Sequence, residues 1–573
     1  MRTALFVLML SCGIGHSIQG FAATIGVSVD ISSDRHPISP DILGVSGAPD
    51  LDQLAYPLVR WGGNSTTRYN WQADVHNAAS DWFFMNIPDG NGTPASSSTE
   101  ALIAAVIAAG SRPLVTLSTI GWVPKPVQQK RWGYSVLKYG VQTMTECSYF
   151  GSNPPSWCTA DAGNGRCNPA QNQTMYCNAA GYIVDNDPLD TSDVATPQTA
   201  TAWMAHLQQR FGSANSGGIR YYALDNEPML WNSTHRDVHP QPLTYDEIWQ
   251  RTVEYATAIK VRDPAAKVFG PVTWGYCDLF GSAADNCLDG ADRAAHGGTP
   301  FVKWYLQQVC SYQASHGIRL VDYLDLHYYP QGDGVVDFSD PPNGSETAAA
   351  SARRLRSLKE LYDPDWDSES WLSDLGNTTP WHYSRPQLLR RVRAWIDESC
   401  PGTGLAITEY NWGSDNGASS ALAQAEALAI FARERVDVAA RWVAPASGSL
   451  VERAFRLFLD FDGAGGRIEG FSTRAISADI DSLGAYAVHA PGQRMMLLLF
   501  NKATTTTTAA INLGRSFNGA WKLYQFTGTS NLAQVGAGTI NGAAINLSGL
   551  PARSASLLVL PESDVIYANG FDF

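Results

Sequence analysis

At 573 residues the chain exceeds the usual size of one domain, so one large domain with a smaller companion is expected. Its net charge of −14, with only 16% of residues charged, excludes the basic stripe that nucleic-acid binding requires.

In chain order, Met1-Arg2-Thr3, the apolar run Ala4 to Leu10 and the small residues of Gly20-Phe21-Ala22-Ala23 read as a secretory signal peptide over residues 1–22. The apolar run is too short to span a bilayer. Cys12 raises a lipid-anchored alternative, but Met9-Leu10-Ser11 is a poor lipobox. A secreted chain, extracellular or periplasmic, with no membrane partner is therefore expected. Thr24–Ile31 reads as a strand. Eight further apolar runs follow: Asp41–Ser46, Pro57–Trp61, Pro113–Thr119, Arg220–Asn226, Lys267–Thr273, Asp322–Tyr328, Gly404–Glu409 and Val436–Val443. Amphipathic stretches lie between them, such as Thr199–Phe211, Tyr245–Val261, Pro300–His316, Gln387–Ser399 and Ala421–Arg435. This alternation predicts an α/β fold, a (β/α)8 TIM-like barrel over residues 41–468. From Glu469 the texture changes to short β-type runs, including Met495–Phe500, Trp521–Phe526 and Ala555–Leu560, separated by Gly, Asn and Ser. An appended all-β sandwich is predicted from residues 24–40 plus 469–564, with a short tail over 565–573.

Cys12 aside, eight cysteines remain, an even number that suits disulfides in an exported chain. Cys147, Cys158, Cys167 and Cys177 crowd a Gly/Asn/Pro-rich stretch that reads as a long excursion stapled by two bridges. Proximity suggests Cys277 with Cys287, which leaves Cys310 with Cys400, among the 105 connectivities that eight cysteines allow. No CxxC and no finger-spaced His argue for zinc.

The chemistry concentrates in two strand ends: Asp225-Asn226-Glu227-Pro228 and Thr408-Glu409-Tyr410-Asn411-Trp412. Hydrolysis of a sugar–sugar bond needs two carboxyl groups facing one glycosidic oxygen. A parallel barrel gathers such groups from the C-terminal ends of different strands. The bland alternatives are a loop-capping Glu227 and a salt-bridged Glu409. Period-two alternation in Asp325-Leu326-His327-Tyr328-Tyr329 puts His327 and Tyr329 on the face opposite Leu326, toward the barrel mouth. A satisfied core histidine is the competing reading of His327. Arg60, ahead of Trp61-Gly62-Gly63-Asn64, also ends a strand. Trp122, Trp274 and Trp412 each follow one; Trp412 is expected to form a platform for a sugar ring, and core or platform stays open for the other two. Aromatic content of 11%, with 18 Trp, fits a carbohydrate ligand, because Trp and Tyr offer flat apolar faces with a polar edge. No Gly-x-Ser-x-Gly elbow supports a serine hydrolase.

Taken in order, Arg60–Asn64, Tyr69-Asn70-Trp71, Asn77 with Asp81-Trp82, Leu224–Pro228 with Leu230-Trp231, Leu326–Pro330 and Ala406–Gly413 resemble glycoside hydrolase family 44. The resemblance implies a (β/α)8 barrel with a β-sandwich and cleavage of internal β-1,4-glucan linkages, xyloglucan included, with retention of configuration. It implies Glu227 as acid/base, Glu409 as nucleophile, and Asn226 at the sugar 2-hydroxyl. Arg60, Trp61, Asn64, His327, Tyr329 and Trp412 are the further substrate-binding candidates. The expected partner is a polysaccharide, and a monomer is expected. No cofactor is required; a structural calcium occurs in some relatives, but its ligands cannot be traced here and the metal ligands stay unknown. Glu146–Asn178 has no counterpart in the resemblance. The rival readings are a mannanase or xylanase of the same barrel clan, and a non-catalytic secreted carbohydrate-binding protein.

Overall fold

The computed structural model describes residues 23–90, 97–126, 131–337, 346–378, 380–489 and 494–561. The signal-peptide reading over 1–22 and the tail at 565–573 lie outside the described residues.

Strand β1 (Ala23–Asp30) precedes eight parallel strands: β2 (Gly44–Ser46), β3 (Leu58–Trp61), β4 (Arg112–Leu117), β5 (Tyr221–Leu224), β6 (Lys267–Thr273), β7 (Tyr323–Tyr328), β8 (Gly404–Tyr410) and β9 (Val438–Arg441). These eight close into a barrel in sequence order, β9 pairing back onto β2. All eight predicted strand runs are thus present. Their near-continuous apolar character follows from burial on both faces, inward on the barrel core and outward on helices. Leu58, Leu114, Ala223, Phe269, Ala406 and Val438 fill the interior, so the barrel is a packed core and not a pore.

The longer helices, of ten residues or more, are α1 (Ser98–Ala108), α2 (Pro197–Phe211), α3 (Tyr245–Arg262), α4 (Phe301–His316), α5 (Ala348–Ser357), α6 (Leu388–Ser399), α7 (Ala418–Arg433) and α8 (Leu450–Leu459). α6 buries Leu388, Leu389, Val392, Trp395 and Ile396, a single stripe at helical spacing. In α3 the Thr244 side chain caps the first turn, Asp246 and Glu247 sit near the positive end, and Lys260 and Arg262 near the negative end. α7 differs, because residues 419–432 are all buried. A helix apolar all round must be enclosed, and α7 packs between the barrel and the strands of the second sheet. Its buried Glu426 accepts from Lys502 Nζ at 2.9 Å and from the Tyr486 hydroxyl at 3.1 Å, which ties the two units together.

The second unit is one mixed sheet of β1 with β10 (Phe471–Ser477), β11 (Leu483–His489), β12 (Met495–Asn501), β13 (Thr507–Thr527), β14 (Ala533–Leu550) and β15 (Ser554–Leu560). The 21-residue β13 pairs with β1 through its first part and with β15 through its last part. One strand therefore serves both layers of the sandwich, around a core of Val27, Leu497, Leu499, Ile511 and Leu558. Four disulfides are formed: Cys147–Cys158, Cys167–Cys177, Cys277–Cys287 and Cys310–Cys400.

Candidate active site

The ladder between β7 and β8 is irregular at the barrel mouth. Leu326 pairs with Ile407, but His327 pairs with Glu409, so Thr408 is an extra residue. Such a bulge re-aims the side chains that follow it. Counted from the inward Ala406, plain alternation would turn Glu409 outward; the bulge turns it in beside His327.

On the facing strand, Asp225 and Glu227 both hold left-handed backbone conformations, with φ of 73° and 47°. Such strain in non-Gly residues persists only where surrounding structure enforces it, and it clusters at functional sites. Here the enforcing contacts converge on the buried Asp225 carboxyl, which accepts from the Thr119 hydroxyl at 3.1 Å, the Ile120 amide at 3.1 Å and the Asn226 amide at 2.9 Å. Burial raises the pKa of Asp225.

Glu227 and Glu409 face each other across the mouth. One carboxyl oxygen of each and a ring nitrogen of His327 all lie within 4.8 Å of one another. Arg60, wholly buried, donates from Nη1 to Glu409 Oε2 at 2.7 Å and from Nη2 to Asn226 Oδ1 at 2.6 Å. The Tyr329 hydroxyl donates to Glu409 Oε1 at 2.8 Å. His327 Nδ1 lies 2.8 Å from Glu227 Oε1, and its Nε2 lies 3.3 Å from the Thr408 hydroxyl. That hydroxyl donates to Asp325 Oδ1 at 2.8 Å, beneath the site. Asn226 Nδ2 donates to Asn64 Oδ1 at 3.2 Å, and Asn64 Nδ2 donates on to Asp81 at 3.1 Å. Burial, reinforced by the Glu409 charge, holds the Glu227 carboxyl well above the ordinary range. His327 is pushed well below the ordinary imidazole value by burial and by the Arg60 charge, so the ring is neutral. Among the described residues, Glu227, His327 and Glu409 are also the group of ligand-type side chains close enough to hold a metal. The Arg60 guanidinium already supplies a positive charge there.

A cleft of about 520 Å3 covers the pair, lined by Leu230, Trp274, Pro330, Gln331 and Trp442 among others. Of the candidates read from sequence, Glu227, Glu409, Asn226, Arg60, His327, Tyr329 and Asn64 are brought together. Two are not. Trp412 is 1% exposed; it packs against Tyr410 and donates to Ser357 Oγ at 3.2 Å, so it offers no face to the cleft. With Glu409 turned inward, Trp412 falls on the opposite side, toward the helices. Trp61 also points to the helix layer, meeting Tyr69 and Trp203 of α2 edge to face. Alternation from the inward Arg60 requires this. The rings that do line the cleft are Trp274 and Trp442; Trp122 lies in a separate small pocket with Trp71 and Trp203. Trp442 was missed, although it directly follows the last barrel strand.

A closed (β/α)8 barrel with a facing carboxyl pair at the C-terminal ends of its strands defines the class: a barrel glycoside hydrolase. Glycoside hydrolase family 44 matches over residues 75–332. CelM2, a bifunctional glucanase–xylanase from a metagenome library, is 33% identical, with a TM-score of 0.84 over 94% of this chain and 99% of that one. A Paenibacillus polymyxa xyloglucanase of family 44 is 25% identical, with a TM-score of 0.73 over 94% of this chain and all of the other. A β-mannanase/endoglucanase A of Caldicellulosiruptor saccharolyticus is 28% identical over 81% of this chain; the chain spans 33% of that protein's length. The chain belongs to glycoside hydrolase family 44.

Proposed function

We propose that this chain is a secreted, retaining, endo-acting hydrolase of β-1,4-glucans, including xyloglucan, with Glu409 as nucleophile and Glu227 as acid/base. The observation that carries the reading is that the two carboxyl groups face each other closely, one oxygen of each lying within 4.8 Å of the other. Retaining glycosidases hold the pair about 5–5.5 Å apart, whereas inverting ones leave about 6.5–9.5 Å for a water.

In the first half-reaction a Glu409 oxygen attacks the anomeric carbon while Glu227 gives its proton to the departing glycosidic oxygen. The raised pKa of Glu227 keeps that proton available near neutral pH. Arg60 and Tyr329 each donate to one oxygen of Glu409 and fix the direction of attack. Asn226, held by Arg60 and Asn64, is placed for the sugar 2-hydroxyl. In the second half-reaction Glu227, now a carboxylate, takes a proton from water, which attacks the anomeric carbon and frees Glu409. The neutral His327 ring beside Glu227 accommodates both forms, because either ring nitrogen can carry the hydrogen. The four disulfides support a location outside the reducing cytosol.

Reducing-end release from xyloglucan, carboxymethylcellulose, mannan and xylan, with Glu409→Gln as blank, tests the reading. Release from the two β-1,4-glucans, lost in the variant, is expected. Release from mannan or xylan alone would overturn the substrate and keep the chemistry. Polymer binding without release would favour a carbohydrate-binding protein.

A further inference from the structure

We propose that a second groove, walled by the cysteine-bearing excursion between β4 and β5, binds a further stretch of the glucan chain and so extends the catalytic cleft. This rests on the β-glucan reading above. The groove has a volume of about 910 Å3, near the top of the range of about 300–1,000 Å3 seen for ligand sites. That is room for more than one pyranose ring.

The two disulfides of the excursion are placed to hold this wall. Tyr149 lies two residues after Cys147, Arg166 precedes Cys167, and Asn178 follows Cys177; all three line the groove. A long segment with little regular structure is ordered at high entropic cost, and cross-links at these points reduce that cost where the wall needs its shape. On the barrel side stands Trp82, whose Nε1 donates to Glu146 Oε1 at 2.7 Å. The excursion thus also sets the orientation of this ring. Trp82 meets Phe83 and Tyr149 edge to face, and no described ring stacks parallel on it. Tyr149 is 56% exposed. Amide side chains of Asn232 and Gln241 complete the opposite side. Flat rings beside amide donors and acceptors are what a neutral sugar chain needs.

The walls of the groove and of the catalytic cleft are linked through side chains and through the chain itself. Asp81, in its wall, binds Asn64, which binds Asn226, the neighbour of Glu227. Asn232, also in the wall, lies two residues beyond Leu230 of the cleft. On this proposal a chain seated across Glu227 and Glu409 leaves past Leu230 toward Asn232 and the groove.

The test compares Tyr149→Ala, Gln241→Ala and Tyr149→Phe with the wild type, on xyloglucan or carboxymethylcellulose and on 4-nitrophenyl β-cellobioside, which reaches only the positions beside the two glutamates. The expected result is a rise in polymer KM of about three- to tenfold in the Ala variants, with kcat and cellobioside turnover within twofold and with Tyr149→Phe near wild type. Polymer KM within twofold in both Ala variants would overturn the groove. Calorimetric titration of cellohexaose and cellotriose into Glu409→Gln protein, with and without Tyr149→Ala, reads binding alone. Weakening for the hexaose but not the triose supports the groove even if no glycan is hydrolysed, an outcome that would sink the hydrolase reading by itself. Equal affinities with and without Tyr149→Ala would sink the groove while hydrolysis stood.

Discussion

Glu227→Ala separates the two carboxyl roles most sharply. General acid catalysis contributes about 10²–10⁴-fold in rate, or about 2.7–5.4 kcal/mol of barrier. Turnover of β-glucan polymer should fall by that factor, because a sugar hydroxyl cannot leave without its proton. A 2,4-dinitrophenyl β-cellobioside leaves as a stabilised phenolate, so its first step should be nearly spared. The covalent intermediate should then accumulate, because no base remains to activate water. The structure adds a further expectation. The pair lies within 4.8 Å, so truncation of Glu227 opens a small space directly opposite Glu409. Azide fits that space and attacks from the face that Glu227 occupied. The product should be the β-glycosyl azide, with faster turnover of the activated substrate. Stopped-flow burst kinetics and NMR of the azide product are the assay. Polymer turnover within tenfold of wild type would refute the acid role, and an α-azide from this variant would exchange the two assignments.

The pH profile follows from the same group. Glu227 must start protonated, and burial with the Glu409 charge raises its pKa, so kcat/KM should fall only as pH rises beyond the ordinary carboxylate range; a basic limb near 4 would contradict this. Asp325, held up at about 7 chiefly by burial, keeps a proton that the unfolded chain releases near 4. Its contribution is full below about pH 4 and declines by about 4 kcal/mol as pH rises from there to the folded value of about 7. Melting temperatures from pH 5 to 8 should therefore slope less in Asp325→Asn than in wild type, and equal slopes would contradict this. The Cys310–Cys400 bridge spans 90 residues and Cys277–Cys287 only 10; loop-closure entropy gives about 4.6 against about 2.7 kcal/mol. Alanine pairs at the first should lower denaturation midpoints more than at the second, and the reverse order would count against an entropic origin. Trp442→Ala should raise polymer KM with little loss of stability, whereas Trp412→Ala, in the core, should cost about 3–5 kcal/mol. Thermal unfolding beside kinetics separates these, and unchanged KM in Trp442→Ala would remove that ring from the cleft.

Much of this site was legible because it sits on strands. Arg60, Glu227, His327 and Tyr329 each end an apolar run, and alternation fixes the side of Arg60, His327 and Tyr329 once the barrel is recognised; the left-handed backbone at Asp225 and Glu227 takes Glu227 outside that rule. The same rule sends Trp61 outward, and applying it there would have removed that residue from the candidates. Trp412 was a different kind of miss. The bulge at Thr408 inverts the alternation in β8, and nothing in Ile407-Thr408-Glu409 marks an extra residue. The sandwich strands were visible as separate short runs, yet Thr507–Thr527 is one strand crossing both layers. Its length was hidden because the polar and Gly-bearing middle looks like turns. The groove beside the cleft left no sequence signal, since its wall has little periodic structure for a pattern to follow.

The first described strand has a consequence for how the protein is made. Val27 pairs with Ser477 on one side and with Ile511 on the other, so β1 is an inner strand whose neighbours are made only after the whole barrel. During synthesis or export it must wait, both edges bare, while the whole barrel is delivered. A bare strand of this kind invites the wrong partner. It also makes the sandwich impossible to excise as a contiguous fragment. Trimming past Ala23 at one end should be as damaging as removing β15 at the other.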